Sequence, residues 1–302
     1  MQIEEILDNY KSSMSRLHIV QCDMRDLANN RLQRLYEYKE KTLDSVEEEQ
    51  NTTDAKLNNN WLVARNPYTG KQEKLVPSRR NVDELMLASH VHKNKQYQWL
   101  LAESYEIFKD TLELLYAYVG FKNTDFWPLR DYGGIRLSEL SSKDFGYFLE
   151  QAENKKNSPA SIMSLFRKAY TTLENLEREN ELDVNLCLAF FLIESMRHNI
   201  VHLGGSVNDK DEFVKSVLKK AGLYNNGKPS EQNLLLINSY FGKGEFKNTI
   251  VLTETAINTE YPLSMYVDEL VETQSYLIGY IRILGDCIMA DESLSDRKVT
   301  IA

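Results

Sequence analysis

Leu186-Cys187-Leu188-Ala189-Phe190-Phe191-Leu192-Ile193-Glu194-Ser195-Met196-Arg197-His198-Asn199-Ile200-Val201-His202-Leu203-Gly204-Gly205 begins apolar on every side and ends in a cluster of charged and titratable groups. Eight apolar residues in succession, followed by apolar positions at helical steps, predict a helix over 184–203 that is central in a bundle, because a surface helix carries only an apolar stripe. Gly204-Gly205 stops it, glycine being the residue that most readily turns left-handed at a helix C-terminus. Arg197 and His202 lie five positions and about 140° apart on such a helix. Glu194 with Arg197, Glu194 with His198, and His198 with His202 are spaced by three or four and share faces.

The flanking segments are also helical. Ser158-Pro159 places a polar N-cap before a proline at the first helical position and predicts a helix through Leu165, Phe166, Tyr170 and Leu173 to about residue 180. Asp209 with Glu212 three residues on opens another helix, reaching about residue 221. Residues 222–261, rich in Gly and Asn and ending in the β-leaning run Thr249-Ile250-Val251-Leu252-Thr253, are an insertion with a small strand pair; a last long helix follows from Pro262 to about 291.

Toward the N-terminus, apolar residues from 81 to 120 recur at three- and four-residue steps, with Gly120 as the C-cap, and a short helix covers 142–152. Trp61 to Arg65 and Lys71 to Val76, joined by Asn66-Pro67-Tyr68-Thr69-Gly70, form a hairpin. Residues 2–49 contain no Pro or Gly and form one helix. Its stripe of Ile3, Tyr10, Leu17 and Met24, with Ile6, Val20 and Leu27, requires a partner helix. The fold class is therefore all-α, with a long N-terminal helix (1–50), a linker and hairpin (51–80), and a helical domain (81–295) that carries the 222–261 insertion.

Composition narrows the function classes. With 42% hydrophobic and 10% aromatic residues the chain can fill a core and is not a disordered polymer. A net charge of −9 argues against a general nucleic-acid coat, but local runs are basic. Residues 213–228 hold Lys215, Lys219, Lys220 and Lys228 without an acid, and residues 61–80 hold five basic residues against Glu73. Each run fits either a solvated face or a phosphate contact. The widely spaced Cys22, Cys187 and Cys287 read as reduced thiols. The acidic start lacks a secretory pattern, and the apolar run 186–193 is too short to span a bilayer, so a cytoplasmic protein without membrane partners is expected.

Chemistry concentrates at the polar end of the central helix. A guanidinium presents a planar fork to a phosphate, and an imidazole moves protons near neutral pH, so together they suit RNA cleavage without a metal. The spacing, the polar residue after the arginine and the preceding apolar helix resemble the Arg-x(4–6)-His signature of the HEPN superfamily of helical nucleotide-binding and ribonuclease domains, over about residues 90–290. This resemblance implies a HEPN-like helical bundle that acts as a metal-independent endoribonuclease without a cofactor. Two protomers would bring their motifs into a shared cleft. It further implies a toxin or antiviral-defence effector, with an antitoxin or regulatory protein as a partner.

In that reading Arg197 stabilises the phosphate, His202 is the general acid or base, and His198 and Glu194 polarise or orient them; Lys215, Lys219 and Lys220 guide RNA. Three alternatives stay open. The first is a non-catalytic HEPN-type module that binds a nucleotide or protein. In the second, Arg197 bridges Glu194 structurally while His202 caps the helix. In the third, His198 and His202 share a face and hold zinc, although Asn199 stands where a zincin carries Glu and no third ligand is near. The sequence contains no Walker lysine loop, nucleophile elbow or Gly-x-Gly-x-x-Gly stretch.

Overall fold

With 13 Gly and 6 Pro in 302 residues, little interrupts helix formation, and the computed structural model is all-α, with two small antiparallel hairpins among the described residues. It describes residues 2–42, 62–75, 80–156, 158–224, 229–258 and 265–291. The ends of the expected first helix and of the tail, and the linker expected at 51–60, lie outside these residues. The chain divides into two compact units, Gln21–Gln96 and the combination of Met1–Val20 with Tyr97–Ala302. The boundary crosses both long helices.

The smaller unit takes most of α1 (Ile3–Thr42), the hairpin of β1 (Leu62–Arg65) and β2 (Gln72–Leu75), and the start of α2 (Val82–Lys122). Leu62 pairs with Leu75 and Arg65 with Gln72; Asn66 organises the loop by accepting the Tyr68 and Thr69 amides at 2.8 and 3.2 Å. Asn81 and Glu84 cap α2 reciprocally, each side chain accepting the other's amide. Along α1 in this unit, Leu32 and Leu35 are buried but Leu27 is exposed.

The larger unit holds the core. Ile3, Ile6 and Tyr10 of α1 are buried here, Leu17 is half-buried and Val20 is exposed, so the cover over the predicted stripe weakens along the helix. Beyond α2 come α3 (Phe145–Glu153), α4 (Ala160–Ala169), α5 (Thr171–Arg178), α6 (Leu186–Leu203), α7 (Lys210–Lys220) and α8 (Glu231–Ser239). The hairpin of β3 (Glu254–Asn258) and β4 (Met265–Asp268) then leads into α9 (Glu269–Met289). Helix α6 is central, as its sequence requires: Leu188 to Ile193 are buried without a break. Phe190 meets Phe108 of α2 at 5.9 Å between ring centroids, and Phe108 meets Tyr280 of α9 at 6.0 Å, so three helices share one aromatic cluster. Each such pair adds about 0.5–1.5 kcal/mol beyond the area it buries.

Four local expectations differ from the structure, the first being the strand pair expected within 222–261: α8 lies in that segment, and its strand β3 pairs with residues 265–268 beyond it. Gly120 does not cap α2, which runs on to Lys122; it is glycine because a Cβ there would come within 2.3 Å of the Trp127 indole. That indole stacks on Tyr116 at 4.5 Å and donates to its carbonyl. The single helix predicted from Ser158 is two. Tyr170 is extended between α4 and α5, held by stacking on Phe166 and by a hydroxyl contact to Asp291, while the Ser158 hydroxyl donates to Glu113 instead of capping. The last helix starts at Glu269 behind an Asp268 cap, because residues 265–268 pair with β3. Among the described residues no helix is long and apolar enough to cross a membrane.

Candidate functional site

The polar end of α6 is held rigidly. Asn185 caps its start by accepting the Leu188 amide, and at its end Gly204 turns left-handed at φ 62°. The amides of Gly204 and Gly205 both donate to the Asn199 carbonyl. The Gly205 carbonyl accepts from the Ile250 amide at 2.9 Å, and the buried Gln98 side chain of α2 donates to the Ile250 carbonyl at 2.7 Å. The chain returning through the 222–261 insertion thus clamps the last turn of the helix.

Arg197 points from α6 toward α2, where it forms an ion pair with Glu106 and its guanidinium lies 6.0 Å over the Tyr105 ring. The pair is a charge contact and not an aligned fork: Glu106 Oε1 and Arg197 Nε are both buried without a hydrogen-bond partner. Glu194, expected to orient Arg197 or His198, instead accepts from the Tyr105 hydroxyl and from Lys220 of α7, each at 3.2 Å. Burial, with Glu194 adding to it, pushes the Tyr105 phenol well above its ordinary range, so it remains a hydrogen-bond donor at every physiological pH.

His198 and His202 meet on the shared face that their spacing predicts, with ring centroids 4.6 Å apart and planes tilted by 52°. Both are exposed. His198 lines a solvent-open cavity of about 740 Å³ with Lys109, Arg197 and Lys220, together with Glu106 and Glu194. A second cavity, of about 610 Å³, is also lined by Arg197 and Glu106, and combines the apolar Trp99, Ile107, Ile200 and Val201 with the carboxylates of Glu103 and Asp110. His202 lines neither.

Of the three lysines assigned to RNA, the structure brings Lys220 alone to the motif. Lys215 and Lys219 lie over the Tyr224 ring at 5.7 and 5.8 Å. The partners that sequence reasoning missed are Tyr105, Glu106 and Lys109. Their one sequence signal is a spacing of three or four residues along α2, which the neighbouring Glu103, Asp110 and Glu113 share, so it does not single them out. Among the described residues no group of three or more His, Cys, Asp or Glu is placed to hold a metal ion, so the two imidazoles have no grouped third ligand.

Chemically the arrangement offers a guanidinium, two ammonium groups and an imidazole around one open hollow, with the carboxylates of Glu106 and Glu194 paired to Arg197 and Lys220. That set can bind a phosphate and exchange a proton with it. No protein-family model, curated protein or solved structure matches the chain.

Proposed function

We propose that this protein is a metal-independent endoribonuclease of the HEPN type, acting as a symmetric dimer. The observation that carries the reading is that Arg197 and His198 share one open cavity with Lys109 and Lys220. Attack of a 2′-hydroxyl on the adjacent phosphorus, with departure of the 5′-oxygen, needs a base, an acid and a cation for the charged phosphorane. Arg197 and Lys220 supply the cations, and His198 and His202 the proton transfers. Products are a 2′,3′-cyclic phosphate and a free 5′-hydroxyl.

Both imidazoles of one protomer stand on the same side of Arg197 in sequence, and a second copy would supply the proton acceptor or donor for the other side of the phosphate. Exposed apolar side chains beside the motif suit such self-association: Trp99 is 76% exposed and Val201 51%. By the same resemblance the protein is a cytoplasmic toxin or antiviral-defence effector, restrained by an antitoxin or regulatory protein.

The test is cleavage of labelled RNA in EDTA by the wild type and by Arg197→Ala, His198→Ala and His202→Ala, with oligomeric state followed by sedimentation. Wild-type cleavage that survives in all three variants ends the proposal. A second reading, a binding module without catalysis, is favoured by the pairing of Arg197 with Glu106, which a structural role also explains. Expression in cells separates the two: an effector slows growth and Arg197→Ala relieves it, whereas a binding module is tolerated equally in both forms.

A further inference from the structure

The cavity at Arg197 and His198 does not end at Lys220. Ala160, Phe191 and Lys220 are also walls of an adjoining cavity of about 650 Å³, reached over the start of α4 and bounded by α5 and the end of α7. Besides Lys220 its cations are Arg167 and Arg178, which stand beside the carboxylates of Glu177 and Glu174. We infer that the two cavities form one groove for single-stranded RNA, in which Arg167 and Arg178 hold a backbone phosphate flanking the one at Arg197; this rests on the ribonuclease reading above.

Three observations carry the inference. First, Arg167 is preset: its Nε reaches both oxygens of the buried Glu177 at 2.7 and 2.8 Å, and Tyr280 holds the same carboxylate from beneath. The Nη2 of Arg167 meets the Cys187 sulfur at 3.4 Å, a weak acceptor that a phosphate oxygen outcompetes. Second, Arg178 is 67% exposed and its ion pair with Glu174 spans one turn of the same helix, a contact worth about 0.3–0.5 kcal/mol and readily exchanged. Third, Lys220 belongs to both cavities and bridges the two phosphate positions. Cavities of these volumes seat ligands of about one or two nucleotides each and suit an unpaired strand, whose backbone a string of cations tracks without reading sequence.

The experiment is fluorescence anisotropy of a labelled oligouridylate trimer and decamer with the full-length protein, in parallel with cleavage of the same RNAs. The wild type is expected to bind the decamer at least about tenfold more tightly than the trimer, and Arg178→Glu to remove that advantage. Arg178→Gln, which deletes the charge without reversing it, loses less. Lys168→Glu, an equal charge change at an exposed residue of α4 outside both cavities, keeps the decamer affinity. Wild-type affinity in Arg178→Glu, an equal loss in Lys168→Glu, or no length advantage in the wild type overturns the groove. Binding that follows this pattern without any cleavage upholds the groove and removes the nuclease reading instead.

Discussion

Arg197 on α6 and Glu106 on α2 form an ion pair in which neither the guanidinium Nε nor the facing carboxylate oxygen has a hydrogen-bond partner. The pair joins two cavities of different character: basic side chains outnumber carboxylates in the one that holds His198, and in the other Glu103, Glu106 and Asp110 outnumber Arg197 among apolar walls. A phosphate entering the first of these competes with Glu106 for the same guanidinium.

Glu106→Gln should therefore strengthen RNA binding several-fold while leaving stability nearly unchanged, since a pair exposed to this degree is worth only about 0–1 kcal/mol. Arg197→Ala should do the reverse to RNA binding. Anisotropy and thermal melting read both quantities; weaker binding in Glu106→Gln would show that the carboxylate supports the ligand instead of competing with it.

Proton transfer by two imidazoles predicts a bell-shaped dependence of kcat/KM on pH, because the base must be neutral and the acid protonated. His198→Ala and His202→Ala should each lose about 100-fold or more and each erase one limb of the bell. A His198→Ala enzyme that keeps both limbs would exclude that ring from the chemistry, whatever its place in the cavity.

Gly205 sits at φ 81°, and a Cβ there would fall 2.3 Å from the Gln98 amide that donates to Ile250. Gly205→Ala combines a strained left-handed backbone with displacement of a buried hydrogen bond, and should cost about 1–3 kcal/mol in urea unfolding. Adding Gln98→Ala removes the clash, so the double variant should lose less than the sum of the two single ones. Strict additivity would mean that the clamp on α6 does not depend on this contact.

Glu113 is buried, and burial raises its carboxyl above the ordinary range, opposed in part by the Ser158 hydroxyl and Lys109. A raised folded-state value means that the acid binds its proton more tightly in the native chain than in the unfolded one. Its favourable contribution is complete below the unfolded value of about 4.3 and fades as pH rises through the folded value. Glu113→Gln should accordingly gain stability relative to the wild type between pH 4 and pH 7. Urea midpoints at the two pH values test this, and a relative gain by the wild type as pH rises would refute the assignment.

Local physics made much of this molecule legible in advance. The all-round apolar run of residues 186–193 placed α6 in the core, Gly204 ended it, Asp209 capped α7, and the Asn66–Gly70 loop closed a hairpin. Residues close together in sequence signal each of these features, as they do the contact of His198 with His202 one turn apart. Where the local reading missed, a distant group was responsible: Trp127 against Gly120, Asp291 and Phe166 at Tyr170, and β3 alongside residues 265–268.

The amino-acid order alone determined that an arginine and two histidines stand at the polar end of a buried helix, because helical periodicity and a glycine stop are short-range properties. Only tertiary packing decided which groups those side chains meet. Glu106 was brought to Arg197, Tyr105 and Lys220 to Glu194, and Lys220 rather than Lys215 or Lys219 to the cavity, since the faces that α2 and α7 turn toward α6 are set by how their apolar stripes fill a common core.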